Sequence, residues 1–127
     1  MDDEIENSLA TFSTDIQGLT LYLRRLIKPL MPDALETFHS GLDYIGYAFS
    51  PQSDRIVFIS PLRYKVLLGF PRGSQLSDPS RLLYGDAKWL RYVQLHTVEW
   101  IPRPALQQLL LVAYNDAKFQ PIKKSQS

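Results

Sequence analysis

The run from Arg63 to Tyr92 interleaves cations and rings at short spacing: Arg63, Lys65, Arg72, Arg81, Lys88 and Arg91 alternate with Tyr64, Tyr84, Trp89 and Tyr92. The negative face of an aromatic ring attracts a cation, and a ring beside a guanidinium suits a planar anion, a phosphate or a single-stranded nucleic acid. Trp89 and Arg91 stand two apart, which puts them on one side of a strand. Gly73 and Gly85 allow the intervening loop to fold close to the sheet edge. Arg72, Gly73, Lys88, Trp89 and Arg91 are therefore the expected anion-binding residues. The competing use of the same residues is structural: Trp89 as a core residue, and Arg91 paired with Asp86 or Asp78.

Other chemistry finds little support. There is no cysteine, which removes thiolate metal sites, disulfides and cysteine nucleophiles. The two histidines, His39 and His96, lack partners at the spacings that build zinc sites. Gly69-Phe70-Pro71-Arg72-Gly73 is not a phosphate loop, because Pro71 removes a donor and no Lys-Ser or Lys-Thr follows. No catalytic residue and no cofactor is expected, and the chain reads as a binding module rather than an enzyme, with an enzyme whose site these motifs do not reveal as an alternative.

The net charge of +1 is unevenly spread. Asp2, Asp3, Glu4, Glu6 and Asp15 open the chain without a basic residue, whereas the cations gather between Arg55 and Arg91, opposed by Asp78 and Asp86. The middle of the chain thus favours a small anionic ligand. So low a net charge is far from the basic footprint of a nucleic-acid binder. No apolar run reaches the ~20 residues of a membrane span. The acidic start lacks the basic residues and apolar run of a signal peptide. A cytoplasmic protein without membrane contact is expected; a partner protein cannot be read from these residues.

The elements that would position this cluster follow from periodicity. Residues 1–127 form one domain, with 1–12 a loose or weakly helical acidic lead-in and 119–127 a flexible tail. Ile16, Leu19, Leu23, Leu26, Ile27 and Leu30 recur at helical spacing, with Thr14 as N-cap and Gln17 completing a capping box. Pro32 can open a short second helix running to His39 and closed by Gly41. Tyr44–Phe49, Arg55–Ser60 and Tyr64–Phe70 read as an antiparallel meander, and Trp89–His96 as a further strand. Asp78-Pro79-Ser80-Arg81-Leu82-Leu83 suggests one capped helical turn. Leu106, Leu109, Leu110, Ala113, Tyr114 and Ala117 mark a final helix. This order predicts an α+β two-layer sandwich: an antiparallel sheet of about four to five strands, with N-terminal and C-terminal helices packed on one face. Leu23, Ile27, Leu109 and Ala113 are expected against Phe58, Val66 and Leu68 or their strand neighbours.

Four patches carry a family resemblance. They are Leu26-Ile27 with Met31-Pro32-Asp33-Ala34; Val57-Phe58-Ile59-Ser60; Leu67-Leu68-Gly69-Phe70 with Gly73; and Leu76-Ser77-Asp78-Pro79 through Leu83-Tyr84-Gly85 to Lys88-Trp89-Leu90-Arg91-Tyr92-Val93. Between about Leu19 and Ala117 the chain resembles the YdhG-like family of small bacterial proteins, a domain of unknown function. The resemblance implies a frataxin-like fold. It also implies, as an alternative function, an intracellular iron chaperone, for which Asp2, Asp3, Glu4 and Glu6 would be the metal-binding carboxylates. Iron prefers such hard ligands, but Arg24, Arg25 and Lys28 on the following helix oppose a cation. The chain departs from the family where a proline commonly follows the glycine after the second helix: here Gly41 is followed by Leu42 and Asp43.

Overall fold

The computed structural model describes residues 2–119, with side chains from residue 4 onward. The residues read as a lead-in form helix α1, Asp2–Leu9, which buries Ile5 and Leu9. The expected tail beyond Phe119 lies outside the described residues. Helix α2 spans Thr14–Leu30. Its cap is Ser13 rather than Thr14: the Ser13 hydroxyl accepts from Ile16 N at 3.2 Å, while the Gln17 amide reaches back to Phe12 O at 2.9 Å. Gly18 and Pro29 inside a helix cost about 1 and 3 kcal/mol. Burying Ile16, Leu19, Leu23, Leu26 and Ile27, at about 2 kcal/mol each, outweighs that cost.

The proposed second helix is instead a strand. Leu35–His39 forms β1, paired antiparallel with β2, Tyr44–Ala48. So short a helix nucleates poorly in isolation, whereas the β2 edge offers it ladder hydrogen bonds at once. Gly41 at φ 92° and Asp43 at φ 55° make the reversal between them, closed by Asp43 N on His39 O at 2.8 Å. Thus Gly41 turns a hairpin rather than ending a helix. β3, Val57–Pro61, β4, Val66–Phe70, and β5, Arg91–Leu95, complete a five-stranded antiparallel sheet in sequential order. The architecture is α+β, and the predicted meander is present.

Alternation sorts the strands. Tyr47, Ile45, Val57, Ile59, Val66, Leu68, Phe70, Val93 and Leu95 are buried, and the register places them on one face. Helix α2 lies against β3 and β4. Helix α3, Arg103–Lys118, packs beside α2 and adds Leu106, Leu109, Leu110 and Ala113 to the same core. Of the expected strand partners, Val66, Leu68 and the neighbours of Phe58, Val57 and Ile59, line the core, while Phe58 itself does not. It stands opposite Gly69 and alternates with Val57 and Ile59, so it occupies the other face.

One ionic cluster borders this core. Glu36 Oε1 and Oε2 accept from Arg24 Nη2 at 2.8 Å and Nε at 2.9 Å, and Oε2 also accepts from the Tyr47 hydroxyl at 2.6 Å. Lys28 Nζ stands 3.5 Å from Oε1. Burial pushes the Glu36 carboxyl up, but the bonds from Arg24 and Tyr47 and the charges of Arg24 and Lys28 prevail, so its pKa falls below the ordinary 4.5. Burial, then the bond to Glu36, pushes Tyr47 well above its ordinary value and keeps it a donor.

Two outcomes follow. Leu109→Ala removes a buried side chain and leaves a cavity, so it should cost ~2–5 kcal/mol in urea denaturation; an unchanged midpoint would contradict this packing. For Glu36, a depressed folded pKa means that its ionic contribution is present above the ordinary value and drains away as pH falls through the folded value. The wild-type chain should therefore lose more stability between pH 7 and pH 3 than Glu36→Gln does. At pH 7 the variant should be weaker by about 3 kcal/mol, because it removes the half-buried carboxylate that Arg24 binds through both oxygens. Parallel acid sensitivity of the two proteins would remove this role from Glu36.

Candidate functional site

The sheet face turned away from α2 carries a transverse row. Register aligns Thr37, Gly46, Phe58, Gly69 and Tyr92 across β1 to β5. Tyr84, in the preceding loop, then pairs with Tyr92 through both backbone bonds, 2.7 and 2.9 Å, so the two rings share this face. Phe58 lies over Gly69: a Cβ there would come within 2.2 Å of the ring. Glycine weakens a strand interior, and here its missing side chain makes room for an aromatic ring.

The rings touch one another in sequence. His39 stacks on Tyr44 with centroids 4.4 Å apart and planes at 22°. Tyr44 meets Phe58 at 5.6 Å, and Phe58 meets the Tyr92 ring at 6.3 Å, edge to face at 89°. These four rings are half-buried and keep part of their surface in solvent. The Arg55 guanidinium sits 5.0 Å from the Tyr44 centroid and 5.8 Å from that of Phe58. Its side chain also covers Gly46, where a Cβ would come within 2.9 Å of Arg55 Cδ. Lys65 Nζ adds a second cation beside the row and donates to Gln94 Oε1 at 3.3 Å. Glu36 is the sole acidic residue in the five strands, and it points to the α2 side. The outer face therefore joins exposed aromatic surface to positive charge with no carboxylate at its strand positions.

The loop residues singled out by sequence lie beside this row. Arg72, after β4, donates from Nε to Asp116 Oδ2 on α3 at 2.8 Å, so its charge is matched within the protein. Gly73 is buried and opens a single 3₁₀ turn, Gly73–Gln75; a Cβ on it would strike Arg91 Cβ at 2.5 Å. Arg91 stands opposite Phe70, on the α2 side of β5, and its guanidinium donates to the carbonyls of Ala87 and Leu90. It neither pairs with Asp86 or Asp78 nor shares the outer face with Tyr92. Trp89 precedes β5 and is 47% exposed. Lys88 Nζ lies 5.2 Å from the Trp89 ring centroid. Ser74 ties the loop together, with its N–H on Trp89 O at 3.0 Å and its hydroxyl on Lys88 O at 2.7 Å. Asp78 caps a turn rather than a helix, accepting from Leu82 N and Leu83 N at 3.0 and 2.9 Å. Lys88 and Trp89 thus remain presented to solvent, while Arg72, Gly73 and Arg91 shape the loop that holds them.

Arg55, Tyr44, Phe58 and His39 did not emerge from the sequence as site residues. The available signal was glycine inside two strands, Gly46 and Gly69, which marks a close approach from a neighbouring group. His39 belongs to the end of β1 rather than to a helix end. His96 is exposed just after β5. Of the acidic residues considered for iron, Glu4 and Glu6 are exposed on α1, and the side chains of Asp2 and Asp3 lie outside the described residues. Among the described residues no three His, Cys, Asp or Glu side chains group in a way that could hold a metal ion. No described helix is long and apolar enough to cross a membrane. Comparison with known protein families, curated proteins and solved structures gives no match to the chain.

The Phe58–Gly69 contact is open to test by a double-mutant cycle. Gly69→Ala should destabilise the chain by ~1–3 kcal/mol, because the new methyl displaces a ring held between Tyr44 and Tyr92. In a Phe58→Ala background the same change should cost far less, and thermal denaturation of the four proteins measures the coupling. Equal penalties in both backgrounds would mean that the ring does not occupy the glycine surface.

Proposed function

We propose that this chain is a non-enzymatic binding or carrier module whose ligand is a small planar anion seated on the outer face of the sheet. The observation that carries the proposal is the Arg55 guanidinium set over the Tyr44 and Phe58 rings. A planar ligand gains stacking surface from the rings, and its negative group gains a charge-assisted hydrogen bond from Arg55. The absence of acidic strand residues on that face removes the repulsion an anion would otherwise meet. Lys88 and Trp89, exposed on the loop that Tyr84 joins to the row, extend the same chemistry towards the loop. The five-stranded meander between helices supports a YdhG-like, frataxin-like relationship as part of this reading.

Catalysis has weaker support. The single carboxylate of the strands, Glu36, already accepts from Arg24 and Tyr47, so its oxygens are committed to the fold. Nothing in the aromatic row combines a nucleophile with a positioned base.

A chemical-shift titration with a purine nucleotide, inorganic phosphate and citrate tests the reading. The nucleotide should give the largest shifts, centred on Tyr44, Phe58 and Tyr92, and weaker ones as salt rises. Arg55→Gln, an exposed substitution, should remove most of the response. Shifts confined to Gly73, Lys88 and Arg91 would move the ligand onto the loop, and a flat response to all three compounds would defeat the proposal.

A further inference from the structure

We infer a second anion site, in the groove between α2 and α3, built for a small ligand that carries one phosphate or carboxylate beside an aromatic or compact apolar body. The groove has a volume of about 420 Å³, within the range of small-molecule pockets. Tyr22, Arg25, Leu26, Pro29 and Leu30 form its α2 wall, and Arg103 and Gln107 its α3 wall. Helical spacing explains both walls. Residues 22, 25, 26, 29 and 30 fall on one face of a helix, and 103 and 107 are one turn apart.

The two arginines set the ligand's charge. Both are exposed, and among the described residues neither makes an ion pair. The residues within one helical turn of Arg25 are Leu21, Tyr22, Lys28 and Pro29, none of which is acidic. Arg103 is followed one turn later by Leu106 and Gln107, again without a carboxylate. Two guanidinium groups lining one groove repel each other, and an oxyanion between them turns that repulsion into two charge-assisted bonds. Tyr22 and Gln107 make no side-chain hydrogen bond among the described residues, so both can reach a ligand.

The other wall sets the ligand's body. Leu26 and Leu30 give aliphatic surface, Tyr22 a ring, and Pro29 a rigid face that supplies no N–H to the Arg25 carbonyl. An inorganic anion would satisfy the cations and leave this surface wet. An aryl or compact alkyl ester would cover it. The site is separate from the aromatic row: it lies between helices, while the row lies on the sheet face turned away from α2.

The test is an amide-shift titration of the full chain with phenyl phosphate, inorganic phosphate and phenol. Phenyl phosphate should saturate shifts at Tyr22, Arg25, Arg103 and Gln107, and bind at least fivefold more tightly than inorganic phosphate. Arg25→Gln and Arg103→Gln should each weaken it about tenfold. Both positions are exposed, so an unchanged spectrum of the free variants will show that the fold persists. Arg55→Gln should leave this site untouched, which separates its fate from that of the outer face. The site is overturned by non-saturating shifts, by an equal response to phenol, or by affinity that survives the double arginine variant.

Discussion

Helix α2 can bury its apolar stripe only if every strand beneath it turns the same alternate residues towards it. Ile45, Ile59, Leu68 and Val93 meet this condition in register across four strands. The pleat then dictates where everything else must go. Residues of the opposite parity are forced onto the far face, and there Phe58, Gly69 and Tyr92 have to find packing without a helix to cover them. The aromatic row is the result. Its rings shelter one another and the two glycines, and the cation above them is held by those same rings.

The same parity explains the placement of charge. Glu36 falls on the helix side of β1, where its carboxylate would be costly without partners. Arg24 comes from α2 and Tyr47 from β2, so three elements meet at one carboxylate. A lone partner would leave lone pairs unmet; together they hold the ion pair in geometry that favours the charged form. Arg91, also on the helix side, has no such carboxylate and turns instead to the carbonyls of its own loop. With Glu36 on the helix side, the strand positions of the outer face carry no acid.

Much of this was legible in residue order, and the limits have physical causes. The β3 and β4 runs are rich in Ile, Val, Leu and Phe and separated by turn residues, so the meander could be read directly. β1 was missed because Pro32 and a short mixed segment suit a helix start equally well; only the waiting β2 edge decides between them. Hydrophobicity alone does not tell Phe58 from its neighbours Val57 and Ile59 as the core residue; the glycine opposite Phe58 gives it a place on the other face. Arg72 reads as an anion-binding residue because its partner, Asp116, lies on α3 and is distant in the chain. Local pattern identifies which residues could bind an anion, but the pairing that occupies a charge is tertiary.

The bridge between Tyr84 and Tyr92 also bears on self-association. A sheet edge is a template for another strand, and an uncovered pair of edges permits endless stacking. At β5 the template is interrupted, because Tyr92 has already given its N–H and C=O to Tyr84. β1 is the other end of the sheet. Two copies that met there, β1 against β1, would each spend that edge and present the blocked one outward. Such a contact closes on itself as a two-fold dimer instead of running on into a fibre.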